Sequence, residues 1–550
     1  MTEPTAHRDT FARDNLPPKD LWPVMTFDLP ELQYPERLNA VNEFLDKRVA
    51  AGDGDRPCIL SPDARWTYSD LLARTNRMAR VLTEDLAMQP GERVMLRAAN
   101  TPMMVAAFMA VIKAGGVAVP TMPLLRAREL GYILDAARVN IALTDERLAD
   151  AMDAAAVGRS DLRRVVRFSA TGETGGDGSL DGMMAGKPTD FAPLDTVADD
   201  VCLIAFTSGT TGQPKGTMHF HRDLLAICDT FARHVLKPTA DDVFCGSPPL
   251  AFTFGLGGLV LFPMSVGAST YLLEAAPPKS LAALIDAEKT TVCFTAPTAW
   301  RALIDMTGEF DLSSLRRCVS AGEALPLPTW ERFLEVTGIR IIDGIGATEM
   351  LHIFISAADD DIRPGATGKP VPGFTARVVD ENNVEVPPGT VGRLAVRGPT
   401  GCRYLADDRQ SRYVQDGWNV TGDAYLMDED GYFWYQARTD DMIICSGYNI
   451  AGPEVEEALL AHPSVSECAV VGAPDANRGA VPKAFVILRE GYSPSDVLAK
   501  TLQDFVKDEI APYKYPRIID FVADLPRTET GKLQRFRLRQ LEAEATGKAL

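Results

Sequence analysis

Between about residues 66 and 349, short apolar runs alternate with stretches whose apolar positions recur at helical spacing. The segment 67–86 has that spacing behind the cap candidates Thr67 and Ser69. Arg93–Arg97 reads as a strand, 101–114 as a helix and 117–120 as an apolar strand. Further apolar runs fall at 202–206, 242–245, 269–273, Val292–Thr295 and 339–343, with helical stretches between them. Alternation of this kind implies parallel strands joined by crossover helices, and near-continuous apolar strands fit burial on both faces. The stretch 171–188 is rich in Gly, Ser and Asp and reads as a mobile surface loop. After about residue 365 the pattern shortens to strands at 376–380, 392–396 and 432–435, joined by turns such as Glu381-Asn382-Asn383, which predicts a small antiparallel subdomain. From about Arg438 a further compact unit follows, with helices at 452–462 and 494–510 and strands at 469–471 and 484–488. The fold class is therefore α/β: doubly wound sheets with a small β subdomain, then a smaller α+β unit.

Length agrees, since 550 residues at roughly 150 per domain allow three or four units. Composition changes the picture on partners. Asp plus Glu number 75 against 56 Lys plus Arg, a net charge of −19. That balance lacks the basic footprint of nucleic-acid binding or of a hold on an anionic membrane. Nine cysteines are scattered from Cys58 to Cys468 with no CxxC pair, as in a reduced, cytoplasmic protein. The first residues have no apolar core, so no signal peptide is expected. The apolar stretch 103–125 is broken by Lys113, Gly115, Gly116 and two prolines, and reads as helix, turn and strand, not as a membrane span.

The chemistry concentrates in Thr207-Ser208-Gly209-Thr210-Thr211-Gly212-Gln213-Pro214-Lys215-Gly216, directly after the apolar strand at 201–206. Glycines let a backbone approach an anion, hydroxyls and free N–H groups donate to phosphate oxygens, and Lys215 adds charge. The loop is not a Walker A sequence, because Lys215 follows Pro214 and precedes Gly216. A generic loop of this composition would be a flexible surface turn; this order of residues is more specific.

The decamer resembles that of the acyl-adenylate-forming ligases: acyl-CoA synthetases, peptide-synthetase adenylation domains and beetle luciferases. Four later segments match the same family in order: Gly344-Ile-Gly-Ala-Thr-Glu349, Trp418-Asn-Val-Thr-Gly-Asp423, Arg438-Thr-Asp-Asp441 with Ser446-Gly447, and Pro526-Arg-Thr-Glu-Thr-Gly-Lys532. Two departures, Arg393 where many members have Glu and Ala437 where Gly is usual, lie away from the chemistry.

The resemblance implies an adenylation domain at 1–436 and a mobile C-terminal domain at 437–550, with a hinge near Asp440. It implies a carboxylate attacking the α-phosphate of ATP, then a thiol, that of coenzyme A, displacing AMP. Thr207, Ser208, Gly209, Thr210, Thr211 and Lys215 would hold the triphosphate, with Gly344 in the ATP site. Thr348 would contact the α-phosphate and Glu349 would ligate Mg²⁺. Asp423, assisted by Arg438, would accept from the ribose hydroxyls, and Lys532 would be the catalytic lysine. Ser446, Gly447 and Tyr448 match the loop lining the CoA channel.

The stretches 249–257 and 344–353, with Ser320-Ala-Gly-Glu-Ala-Leu-Pro326, look like those of benzoate-type and 2-aminobenzoate–CoA ligases. Carried over, Thr253, Phe254, Ala321, Gly346, His352 and Ile353 would line the acid site. Small Ala321 and Gly346 would leave a flat slot, and Phe254 and Ile353 would wall a planar ring. Thr253 would meet an ortho substituent and His352 the carboxylate or a ring group; the alternative for His352 is a core histidine bonded to backbone. His219 and His221 resemble a metal fragment, but no third ligand lies nearby in sequence. Rival functions are activation of a small aliphatic acid, loading of a carrier protein, and nucleotide binding without catalysis. Monomer and homodimer both stay open.

Overall fold

The computed structural model describes residues 4–172, 176, 178–207, 214–438, 441–445, 448–475, 479–510, 512–527 and 533–546. The expectations for Ser208, Gly209, Thr210, Thr211, Asp440, Ser446, Gly447 and Lys532 lie outside these residues.

Six strands form one sheet in the order Arg164–Phe168, Ile141–Asp145, Arg93–Arg97, Val117–Thr121, Val201–Thr207, Lys215–Phe220. A second sheet has nine strands, parallel through its six central members: Ile341–Gly346, Arg317–Ala321, Val292–Thr295, Val243–Gly246, Ser269–Tyr271 and Pro57–Leu60. Antiparallel strands close it at both ends, with Ile353–Ser356 beside Ile341–Gly346 and Arg65–Thr67 beside Pro57–Leu60. One continuous apolar core takes in side chains of both sheets, among them Leu96 and Phe294. Helix Pro102–Lys113 is buried at all twelve positions, which explains why its sequence is apolar all round. Helix Tyr68–Arg80 starts at Thr67, whose hydroxyl accepts from Asp70 N–H while the Asp70 carboxylate accepts from Thr67 N–H; Thr67, and not Ser69, is the cap. No described helix is long and apolar enough to cross a membrane.

Two expectations are corrected. The segment 171–188 is not wholly loop: Leu180–Met184 is a short helix capped by Ser179, with Leu180 and Met184 buried in the main core. Its glycine and serine content masked those anchors. The parallel pairing expected across residues 66–349 breaks at the strand after the decamer. Lys215–Phe220 runs antiparallel to Val201–Thr207, with Thr207 opposite Lys215, so the decamer joins two strands of one hairpin.

The segment 403–405 adds to the outer side of that hairpin. Met218 N–H donates to Arg403 C=O and Leu405 N–H to Gly216 C=O, both at 2.8 Å. Successive side chains of an extended segment point to opposite faces, so Arg403 and Tyr404 part company. Arg403 lies over the Phe220 ring and donates to Asp223 at 2.8 Å, with neither side chain reaching solvent. Burial alone would raise the Asp223 carboxyl, but the Arg403 charge, with His219, holds it well below the usual carboxylate range.

The small antiparallel sheet at 375–438 is as predicted, with Asp423 opposite Arg438. After it, strands Ile443–Cys445, Tyr448–Ile450, Val465–Asp475, Gly479–Leu488 and Ile518–Phe521 form a sheet with its own core. Its two long strands extend well beyond the apolar runs that announced them.

Breaking the buried pair strands a charge. Arg403→Met alone should cost about 3–5 kcal/mol, and adding Asp223→Leu should restore most of the loss; urea midpoints of the two variants check this.

Candidate active site

The site is built around one turn. The 3₁₀ turn Thr348–Met350 follows strand Ile341–Gly346 and ends at Leu351, whose φ of 68° is left-handed backbone in a fully buried, non-glycine residue. Such a conformation persists only where its surroundings over-determine it, and here three parts of the chain do so. His219 Nε2 donates to the Thr348 carbonyl at 2.9 Å. Thr400 Oγ1 donates to the Met350 carbonyl at 2.7 Å. Tyr404 donates its hydroxyl to the Glu349 carboxylate.

Tyr404 also links the turn to the decamer. Lys215 Nζ donates to the Tyr404 oxygen at 2.9 Å, lies 4.8 Å from its ring centroid, and stands 3.6 Å from Glu349 Oε1. Burial first, and the Glu349 charge second, push the phenol far above its ordinary range, so it keeps its proton and donates to the carboxylate. Tyr413 packs edge-on against Tyr404 at 5.8 Å and presents a buried hydroxyl with no hydrogen-bond partner among the described residues. Its hydroxyl lies in the field of both Glu349 and Asp423. Arg438 Nη1 donates to Asp423 Oδ1 at 3.0 Å; burial raises Asp423 and the Arg438 charge pulls it back.

Three of the expected acid-site residues, Ala321, Gly346 and Ile353, are placed by strand register, and Phe254 and His352 meet through their rings. Ala321 stands opposite Gly344, and Gly346 opposite Ile353. A Cβ on Gly346 would sit 2.9 Å from the His352 backbone, so close approach requires glycine there, and one on Gly344 would sit 2.8 Å from the Ile353 side chain. Phe254, on the helical turn Thr253–Leu256, lies 5.7 Å from the His352 ring. His352 is enclosed by Phe231, Phe254, Phe262 and Phe294. Burial pushes it down to about 3, against a weaker pull from the Phe254 backbone, so the ring is neutral at pH 7. Neither ring nitrogen has a hydrogen-bond partner of good geometry among the described residues. Thr253 is buried on the same turn as Phe254.

Sequence reasoning missed Tyr404, Tyr413 and Asp343. The tyrosines lie outside any recognisable charge or glycine pattern, although 403–405 is extended and follows an apolar strand. Asp343 has its Oδ1 shielded from water and unpartnered among the described residues, and burial pushes the carboxyl up to about 8, with the Gly344 N–H opposing. An acid ending an otherwise apolar strand was the available signal.

His219 and His221 do not converge on one point: the first reaches Thr348 and the second accepts from Ala40 N–H at 3.2 Å. Glu349 is the carboxylate at the turn, and the described residues hold no cluster of three or more His, Cys, Asp or Glu donors. One carboxylate suits a hard cation that keeps its waters and arrives on phosphate oxygens, as Mg²⁺ does with ATP.

Residues 46–404 match the family described as AMP-binding enzyme, and residues 454–532 the AMP-binding enzyme C-terminal domain. The chain belongs to the AMP-binding enzyme family. Across almost its whole length it is similar to the benzoate–CoA ligase of Thauera aromatica, at 36% identity covering 93% of this chain and 97% of that protein. It is 35% identical to the mouse (Mus musculus) mitochondrial acyl-coenzyme A synthetase ACSM3, over 87% of this chain and 85% of the relative. Among solved structures, the anthranilate CoA ligase AuaEII in complex with anthranoyl-AMP matches with a TM-score of 0.89 and 34% identity, over 94% of this chain and all of that one.

Two outcomes are expected. Tyr404→Phe removes a hydrogen bond to a charged group and frees Lys215 from its partner, which should slow adenylate formation about tenfold or more, read as pyrophosphate release. Asp343 keeps in the fold a proton that the unfolded chain releases, so its contribution is present below about pH 4 and lost as pH rises toward about 8. Melting temperature against pH should therefore fall less steeply over that window in Asp343→Asn.

Proposed function

We propose that this AMP-binding enzyme is an ATP- and CoA-dependent ligase for benzoate-type acids, with 2-aminobenzoate within its range. The observation that carries the reading is the juxtaposition of an aromatic cage around a neutral His352, unpartnered among the described residues, with the strand edge at Gly346 and Ile353. A planar ring needs flat apolar walls and few polar groups, and that is what lies three residues beyond Glu349. The similarity to benzoate– and anthranilate–CoA ligases supports it.

The first step joins a carboxylate oxygen of the acid to the α-phosphorus of ATP, and pyrophosphate leaves. The acid is already ionised at pH 7, since such groups titrate near pH 4, and no general base is needed. The obstacle is bringing anions together, a matter of position and charge. Lys215, Thr207 and the hydroxyls at 208, 210 and 211, with the Gly209 backbone, receive the triphosphate. Thr348, its backbone fixed by His219, faces the α-phosphate, and Gly344 leaves room for the nucleotide. Mg²⁺ arriving with ATP supplies charge neutralisation, with Glu349 as the carboxylate to hold it. Asp423, oriented by Arg438, accepts from the ribose. Lys532 bridges carboxylate and α-phosphate as negative charge builds.

In the second step the CoA sulfur bonds to the acyl carbon and the bond to AMP breaks. The unit from 437 to 550 rotates about Asp440 between the two steps, withdrawing Lys532 and admitting CoA past Ser446, Gly447 and Tyr448. Such closure is a gating role. A cytoplasmic setting is supported by nine cysteines that all stay free, eight of them buried.

A second reading is activation of a non-aromatic acid, since the relative named only as an acyl-coenzyme A synthetase specifies no ring. Pyrophosphate release over a panel of benzoates, aminobenzoates and short and medium aliphatic acids separates the two. Benzoate or 2-aminobenzoate should give the highest kcat/KM; a higher value on butyrate or hexanoate would overturn the aryl assignment. Thioester formation with free CoA, rather than only with a carrier protein, completes the test.

A further inference from the structure

The stretch that carries Lys532 is tied down on both sides. Arg527 and Leu533, the described residues that flank 528–532, face each other across an antiparallel bridge. Arg527 pairs with the Glu467 carboxylate. Two residues past Leu533, Arg535 forms a two-pronged pair with Glu456, at 3.1 and 2.6 Å. Glu467 and Glu456 sit on strand Val465–Asp475 and helix Gly452–Leu460, parts of the same C-terminal unit, and travel with it.

Glu323 does not. It follows strand Arg317–Ala321 of the nine-stranded sheet by two residues, across Gly322, whose φ of 94° turns the chain in a way glycine accepts freely. Its Oε1 accepts the backbone N–H of Leu533 at 3.2 Å, and its charge is also felt by Arg535. A carboxylate of the large body thus grips the main chain of the C-terminal unit one residue from Lys532. The same short loop begins at Ala321, beside the acid site.

We infer that Glu323 is a positioning residue for the first half-reaction: it fixes the backbone that presents Lys532, and lets go when the C-terminal unit turns for the second. The inference rests on the proposed role of Lys532 and extends it to a residue outside the sets proposed above for nucleotide and acid. A hydrogen bond to a carboxylate is stronger than one between neutral groups, yet a single one is weak enough to break on rotation. Losing it should leave acid and ATP binding intact and lower the fraction of complexes in which Lys532 is in place.

The test separates the half-reactions in full-length protein. Acid-dependent ATP–pyrophosphate exchange reads the first, and thioester formation from synthetic benzoyl-AMP and CoA reads the second. Glu323→Ala should lower kcat of exchange about tenfold, with KM for acid and ATP within about twofold and the second half-reaction unchanged. Glu323→Gln, which keeps an acceptor oxygen, should recover exchange to within about threefold of the parent. Melting temperatures within a few degrees of the parent show that the fold is intact. Lys532→Ala is run alongside. If it abolishes exchange while Glu323→Ala leaves exchange untouched, or slows both half-reactions equally, the inference about Glu323 is wrong and the role of Lys532 stands. If Lys532→Ala itself keeps exchange, the role of Lys532 fails and the inference falls with it.

Discussion

A buried phenol held between a cation and an anion ties this site together. The Tyr404 hydroxyl accepts from Lys215 and donates to Glu349, which joins the hairpin of one sheet to the turn ending a strand of the other. Because Tyr404 sits on an extended segment bonded along Lys215–Phe220, its neighbour Arg403 must face the opposite way, into the Asp223 carboxylate. The two contacts share one backbone register. A slip of one residue would send the guanidinium toward Lys215 and leave Asp223 buried alone, so the Tyr404 contacts and the buried ion pair enforce each other.

That arrangement answers a problem of charge. A chain of net charge −19 that handles ATP and CoA works against its own average field. The cations that matter are local and fixed: Lys215 by a phenol and its ring, Arg438 by Asp423. Each is neutralised by a group at the site itself, so an arriving polyanion exchanges one partner for another and need not attract a free charge through an acidic surface. Net charge describes the outside of this molecule and says little about its centre.

Much of this was legible in the residues. Alternating apolar runs gave seven strands of the two sheets, about half, because strands buried on two faces have little choice but to be apolar. The motifs' resemblance to the acyl-adenylate-forming ligases singled out Lys215, Glu349, Asp423 and Arg438, and strand register pairs Ala321 with Gly344 and Gly346 with Ile353. What escaped was whatever depends on partners distant in sequence. Tyr404 is an ordinary tyrosine until strand 215–220 lies beside it, and Leu180 is hidden by its glycine-rich neighbours until the core receives it. Antiparallel pairing after the decamer was also missed, because a strand's direction is set by the turn before it and not by its own apolar pattern.

In the proposed acid slot, the wall at Gly346 is main chain in close contact with the His352 and Ile353 backbone. Main chain cannot be trimmed or enlarged by ordinary substitution without moving two strands of a nine-stranded sheet. Any drift in substrate range during evolution, and any attempt to engineer it, is therefore channelled to the opposite side of the slot. There Phe254 and His352 are side chains that can change size and polarity while the sheet stays where it is.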